Sequence, residues 1–281
     1  MEMPYVEKDT LRLWYDSAGT SGTPVVLIMG FGARGQFWEP QLEALSRHHS
    51  VLWFDHRGIG RSSCPRWKAT TADLAGDVIL LMDRMGWSKA HIVGMSMGGM
   101  VAQEVALRFK ERVRSLTLMA TTPLGIRGGL STPRAVPLFF RTFVGTRRMR
   151  KSAAGRILFT RAFLKAGGDR RLEDIFDERF NPKFSVRGFC SHLSAVLSHS
   201  TERRLHQLKD VRTLVLWGED DLLIRPRESE RLMQKLPHAR RASYKNTSHG
   251  VNWQHQSEVN ELLLEHFREA DQEWAPARRA G

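Results

Sequence analysis

Five short apolar runs recur along the chain and limit its fold more than any other feature. They are VVLIM (25–29), SVLWFD (50–55), AHIVGM (90–95), RSLTLMA (114–120) and RTLVLWG (212–218). None alternates apolar with polar residues, so each reads as a strand buried on both faces. Helical patterns fall between them. In TADLAGDVILLMDRMG the apolar positions Leu74, Val78, Leu81 and Met85 share one helix face, and Gly86 stops it. MGGMVAQEVALRF follows the third run, RESERLMQKL the fifth, and QSEVNELLLEHFREA closes the pattern as an amphipathic helix. Strand–helix alternation of this kind predicts an α/β fold with a parallel sheet covered on both sides. The opening VEKDTLRLWYDSAGTSGTP reads instead as an antiparallel hairpin, with turn-forming residues over Asp16–Pro24.

The alternation stops after Ala120. Residues 122–208 contain no clear strand but several amphipathic stretches, among them RLEDIFDERF (171–180) and RGFCSHLSAVLSHS (187–200). They are expected to form a helical cap over a core made of residues 1–121 and 209–281. The final WAPARRAG is expected to fray. Charge follows the same division. Of the formal net charge of +13, residues 123–208 hold 17 Lys or Arg against 6 Asp or Glu. A basic surface suits an anionic partner or a solvated face. Association with a membrane surface or nucleic acid through RTFVGTRRMRK (141–151) would weaken steeply with salt. No nucleic-acid-binding motif accompanies the charge, so a nucleic-acid partner is not expected. No apolar run approaches the roughly 18 residues of a membrane span. The N-terminal MEMPYVEKDT lacks the basic start and apolar middle of a signal peptide. Cys64 and Cys190 have no metal or redox spacing. Both features favour a reducing, cytoplasmic setting.

Chemistry concentrates at the ends of the apolar runs, where open α/β sheets collect their ligands. Gly94-Met95-Ser96-Met97-Gly98 is G-x-S-x-G at a strand-to-helix junction. A sharp turn there lifts the Ser96 hydroxyl above the sheet and crowds the backbone two positions either side, where small residues are needed and Gly94 and Gly98 supply them. An isolated match would equally be a glycine turn with an incidental serine; the strand before it and the helix after it favour a nucleophile. A serine hydroxyl needs a base, and the base needs a carboxylate to orient it. The loop GEDD after the fifth run supplies Asp220 and Asp221, with Asp221 preferred. His249, in YKNTSHGVNW after the short candidate strand RRASYK, completes the order Ser, Asp, His. Developing oxyanion charge also needs main-chain donors. The candidates are the amides of Met97, directly after the serine, and Phe31, in the loop MGFGARG. Gly30, Trp38 and Trp253 are candidates to line an apolar substrate pocket, with Phe31 and Met97 beside them.

Taken together, MGFG (29–32), DHRGIGRS (55–62), GMSMGG (94–99), GEDD (218–221) and SHG (248–250) resemble the α/β-hydrolase fold superfamily, in its order and over almost the whole chain. The resemblance implies a mostly parallel eight-stranded sheet with helices on both faces and a helical cap inserted after the sixth strand. It implies Ser96 as nucleophile, His249 as base, Asp221 as orienter, and Phe31 and Met97 amides as the oxyanion hole. No metal or organic cofactor is implied; the partner is a small-molecule substrate, and the oligomeric state is not legible. The style of the elbow is similar to the branch holding enol-lactone hydrolases, methylesterases and carbon–carbon bond hydrolases. This points to cleavage of a small ester or lactone. The alternatives are carbon–carbon cleavage of ring-cleavage products by the same triad, and a ligand receptor that kept the fold without turnover. Two positions depart from the pattern: Met29 stands where many members carry His, and Pro226 follows Asp221 by five positions rather than four. Within DHRGIGRS, Asp55 and Arg57 are expected to fix a loop.

Overall fold

The computed structural model describes residues 4–129, 135–168 and 185–274. Eight strands form one sheet: β1 (Tyr5–Lys8), β2 (Leu11–Ala18), β3 (Val25–Ile28), β4 (Val51–Phe54), β5 (Ala90–Met95), β6 (Val113–Met119), β7 (Thr213–Gly218) and β8 (Arg240–Tyr244). Their order is β1-β2-β4-β3-β5-β6-β7-β8. From β4 to β8 every pairing is parallel, and β1 and β2 are antiparallel. The sheet is thus mixed but mostly parallel, as the alternation of runs requires.

Each central strand is buried throughout, because both faces are covered. Alternate residues of β3 show it: Val26 and Ile28 join the core beneath helices α2 (Thr71–Arg84) and α3 (Met97–Arg108), whereas Val25 and Leu27 join the core beneath α1 (Glu39–Ser46) and the closing helix Gln256–Trp274. Helix α2 begins at a capping box, Thr70 with Asp73, and ends at Gly86 in the left-handed region.

The opening hairpin is real, but its turn lies elsewhere. Lys8 pairs with Leu11, so the turn is Asp9-Thr10, with Asp9 at φ 54°. Of the Asp16–Pro24 stretch, Asp16, Ser17 and Ala18 still belong to β2 and pair with β4, and only Gly19–Pro24 carries the chain across from β2 to β3, which are separated in the sheet by β4. Turn chemistry locates a reversal without saying which strands pair across it.

Helices follow β6 as predicted. Those described include Ala135–Arg141, Arg147–Leu158 and Val186–Ser198. Arg147 and Arg148 of the second are exposed. The stretch RLEDIFDERF and the tail after Trp274 lie outside the described residues. Among the described residues no helix is long and apolar enough to cross a membrane.

Candidate active site

Ser96 is the single residue between β5 and α3. Its backbone sits at φ 57°, ψ −122°, a region that costs an L-residue about 1–3 kcal/mol. Neighbours hold it there. Its N–H donates to the Met119 carbonyl at 2.9 Å, and its own carbonyl accepts from Thr121 Oγ1 at 2.7 Å and Gly99 N–H at 3.0 Å. The flanking glycines are steric necessities. A Cβ on Gly94 would lie 2.3 Å from the Gly98 carbonyl oxygen, and one on Gly98 would lie 2.1 Å from the Ile28 carbonyl oxygen. The first turn of α3 therefore rests directly on β5 and on the end of β3.

Asp221 follows β7 by three residues and is buried, whereas the neighbouring Asp220 is exposed. One carboxylate oxygen of Asp221 accepts from the Leu223 and Ile224 amides at 2.8 and 2.9 Å; the other accepts from His249 Nδ1 at 2.7 Å. Between the two acids, geometry selects Asp221 as the imidazole's partner. The carboxylate draws the ring proton to Nδ1, so Nε2 is the basic nitrogen. Acid and histidine loops touch through their backbones: a Cβ on Gly218 would lie 2.3 Å from the Thr247 carbonyl oxygen.

Ser96 and His249 line one cavity of about 70 Å³, together with Gly30, Phe31, Phe139 and Leu158. Met97 lines a second, of about 50 Å³, which also reaches Ser96 and Phe31. The other two pocket candidates are elsewhere. Trp38 is fully buried, and the Trp253 indole N–H donates to the Phe37 carbonyl at 3.0 Å. Both belong to the core beneath α1 and line neither cavity. Large aromatic side chains bury well in either place, so composition alone does not separate them.

Two supports were not legible in sequence. The cap helix Arg147–Leu158 ends against the histidine loop, where its last carbonyls need partners. Ser248 Oγ and His249 N–H donate to the Ile157 carbonyl at 2.8 and 3.3 Å, and Gly250 N–H to the Leu158 carbonyl at 2.7 Å. The loop carrying Phe31 is gripped by two buried histidines. His56 Nε2 donates to the Met29 carbonyl at 3.0 Å. His192, from the cap helix Val186–Ser198, donates from Nε2 to the Arg57 carbonyl at 3.1 Å and accepts at Nδ1 from Gly32 N–H at 3.5 Å. Burial pushes His56 down to about 4 and His192 to about 3, so both rings are neutral near pH 7. The only sequence signal for either was the His56 of DHRGIGRS. In that segment Asp55 accepts from Gly35 and Arg61 amides at 2.9 and 3.1 Å, and Arg57 Nε donates to Asp77 at 2.8 Å. Both contacts fix loops.

Comparison with known proteins agrees with the fold. The family model for the alpha/beta hydrolase fold matches residues 23–256. The protein named "Putative carbamate hydrolase RutD" of Azorhizobium caulinodans is 30% identical over 278 residues, 96% of this chain and 100% of its own length. Among solved structures, the enol-lactonase from Burkholderia xenovorans LB400 superposes with a TM-score of 0.82 at 26% identity, covering 94% of this chain and all of its own. An N-acyl homoserine lactone degrading enzyme, Est816, gives a TM-score of 0.76 at 26% identity, over 93% of this chain and 99% of its own.

Proposed function

The chain belongs to the α/β hydrolase fold family, and from that premise we propose that it is a serine hydrolase cleaving a small carboxylic ester or lactone through an acyl-enzyme. The observation that carries this reading is the buried His249–Asp221 hydrogen bond at 2.7 Å, with His249 and Ser96 on the wall of one cavity. His249 Nε2 takes the Ser96 proton as Oγ attacks the carbonyl carbon. The Phe31 and Met97 amides hold the oxyanion, each such donor being worth about 100- to 1,000-fold in rate. The carbonyl re-forms, the leaving oxygen departs with the proton held by His249, and water repeats the sequence on the acyl-enzyme. Asp221 keeps the imidazole in the required tautomer and stabilises its cation.

Carbon–carbon cleavage of an anionic ring-cleavage product would use the same groups. It is disfavoured because no Arg or Lys lines either cavity among the described residues. A receptor without turnover would have no need of a strained serine that shares a cavity with a carboxylate-bound histidine. Nitrophenyl acetate hydrolysis tests the proposal, with the Ser96→Ala protein as blank. Turnover that survives Ser96→Ala, or none across an ester and lactone panel, refutes it.

A further inference from the structure

The two cavities at Ser96 are unequal and differently furnished. They share Ser96, Phe31, Phe139 and Leu223. From that junction the larger runs past His249 and Thr142, and the smaller past Met100, Ile126 and Val196. We propose, on the serine-hydrolase reading above, that the substrate is an open-chain neutral ester with a short apolar group on each side of its carbonyl, alcohol in the His249 chamber and acyl group in the other.

Two observations and one chemical requirement support the parts of this statement in turn. First, the lining is apolar. Among the described residues, Ser96, Thr142 and His249 are the only polar side chains of the larger chamber, and Ser96 the only one of the smaller. A carboxylate or ammonium placed there has no oppositely charged Asp, Glu, Lys or Arg partner in the lining among the described residues, and an unpaired buried charge is expensive. Secondly, the junction divides the space. The Phe31 and Phe139 rings meet edge-on with centroids 5.2 Å apart, and both face each chamber. A carbonyl at Ser96 then sends one arm to each side. A simple lactone joins its acyl and alcohol carbons in one ring and leaves one chamber empty.

Thirdly, His249 orients the ester. It must deliver its proton to the leaving oxygen, so the alcohol belongs in the chamber His249 lines. The acyl group stays on Ser96 until water arrives and belongs in the chamber without it. The volumes, about 70 and 50 Å³, hold on the order of five and three water-sized probes. That suits an aryl or short alkyl alcohol and an acyl group of about four carbons.

The test compares phenyl butyrate, phenyl acetate, monophenyl succinate and δ-valerolactone, each against Ser96→Ala as blank. Because one methylene in an apolar pocket is worth roughly 10- to 200-fold, phenyl butyrate should exceed phenyl acetate at least about 10-fold in kcat/KM. Monophenyl succinate, which carries a carboxylate on its acyl arm, should fall about 100-fold below butyrate. Val196→Trp should lower the butyrate-to-acetate ratio about 10-fold and leave the ratio of phenyl to methyl butyrate within about twofold. Ile126→Trp serves the same purpose if the first variant fails to fold by thermal melting. Ser96-dependent turnover in which succinate or lactone matches butyrate overturns the two-armed neutral ester and leaves the serine hydrolase standing. So does an unchanged acyl ratio in a folded variant. No Ser96-dependent turnover of any substrate overturns both.

Discussion

Asp221→Asn tests the proposed triad with almost no change of shape. The two backbone donors Leu223 and Ile224 already claim one side of the carboxylate, at 2.8 and 2.9 Å. An asparagine will turn its carbonyl oxygen toward them and its NH₂ toward His249. The imidazole must then accept at Nδ1 and carry its proton on Nε2, the tautomer that cannot receive a proton from Ser96. Reversing the amide restores the useful tautomer but points the NH₂ at two buried N–H groups. Leaving each unsatisfied costs about 1–3 kcal/mol, so the reversal costs about 2–6 kcal/mol. That corresponds to a loss of about 30- to 20,000-fold in kcat, at about 1.4 kcal/mol per factor of ten. The upper end agrees with the roughly 10⁴-fold effect of the same exchange in a serine protease triad. The assay is ester hydrolysis at pH 7 with thermal melting alongside, and Asp220→Asn as the exposed control. A folded Asp221→Asn protein within about fivefold of the parent would show that this carboxylate does not set the histidine tautomer.

Ser96→Gly should abolish hydrolysis and yet stabilise the fold. It removes about 1–3 kcal/mol of backbone strain and gives back up to about 1 kcal/mol of unfolded-chain freedom. At mid-range the net gain is about 1 kcal/mol, so a rise in Tm of about 2 °C is expected over Ser96→Ala, which keeps the strained φ; a Tm below that of Ser96→Ala would argue that φ 57° is not strained. Acid should weaken the protein early. Burial lowers His56 and His199 to about 4, and His192 and His266 to about 3, from an ordinary 6.5. From pH 6.5 down to about 4 the unfolded chain takes up protons that the native rings refuse. Stability therefore falls as pH falls, by up to about 1.4 kcal/mol per pH unit for each ring. Urea midpoints at pH 7, 6 and 5 read this directly, and a flat series would contradict it.

The strands were legible because each central run is buried on both faces, and such burial leaves a continuous apolar signature. The elbow was legible for a different reason: β5, β3 and α3 approach too closely for any Cβ at Gly94 or Gly98, so sterics write the motif into the chain. Asp220 and Asp221 were harder to separate, since both follow the same strand and have the same chemistry. Only the turn that aims two amides at Asp221 distinguishes them. Trp38 and Trp253 were misplaced because an apolar side chain does not record which apolar space it fills.

The sequence by itself determined that strands and helices alternate, that small residues flank Ser96, and in what order serine, acid and histidine occur. These are properties of local spacing, carried by covalent geometry and side-chain chemistry. The tertiary structure decided which groups meet. His192 grips Gly32 from 160 residues away, and the cap helix ends on the histidine loop. Such contacts depend on how distant elements pack, and packing is set by the whole core at once rather than by any one stretch of chain.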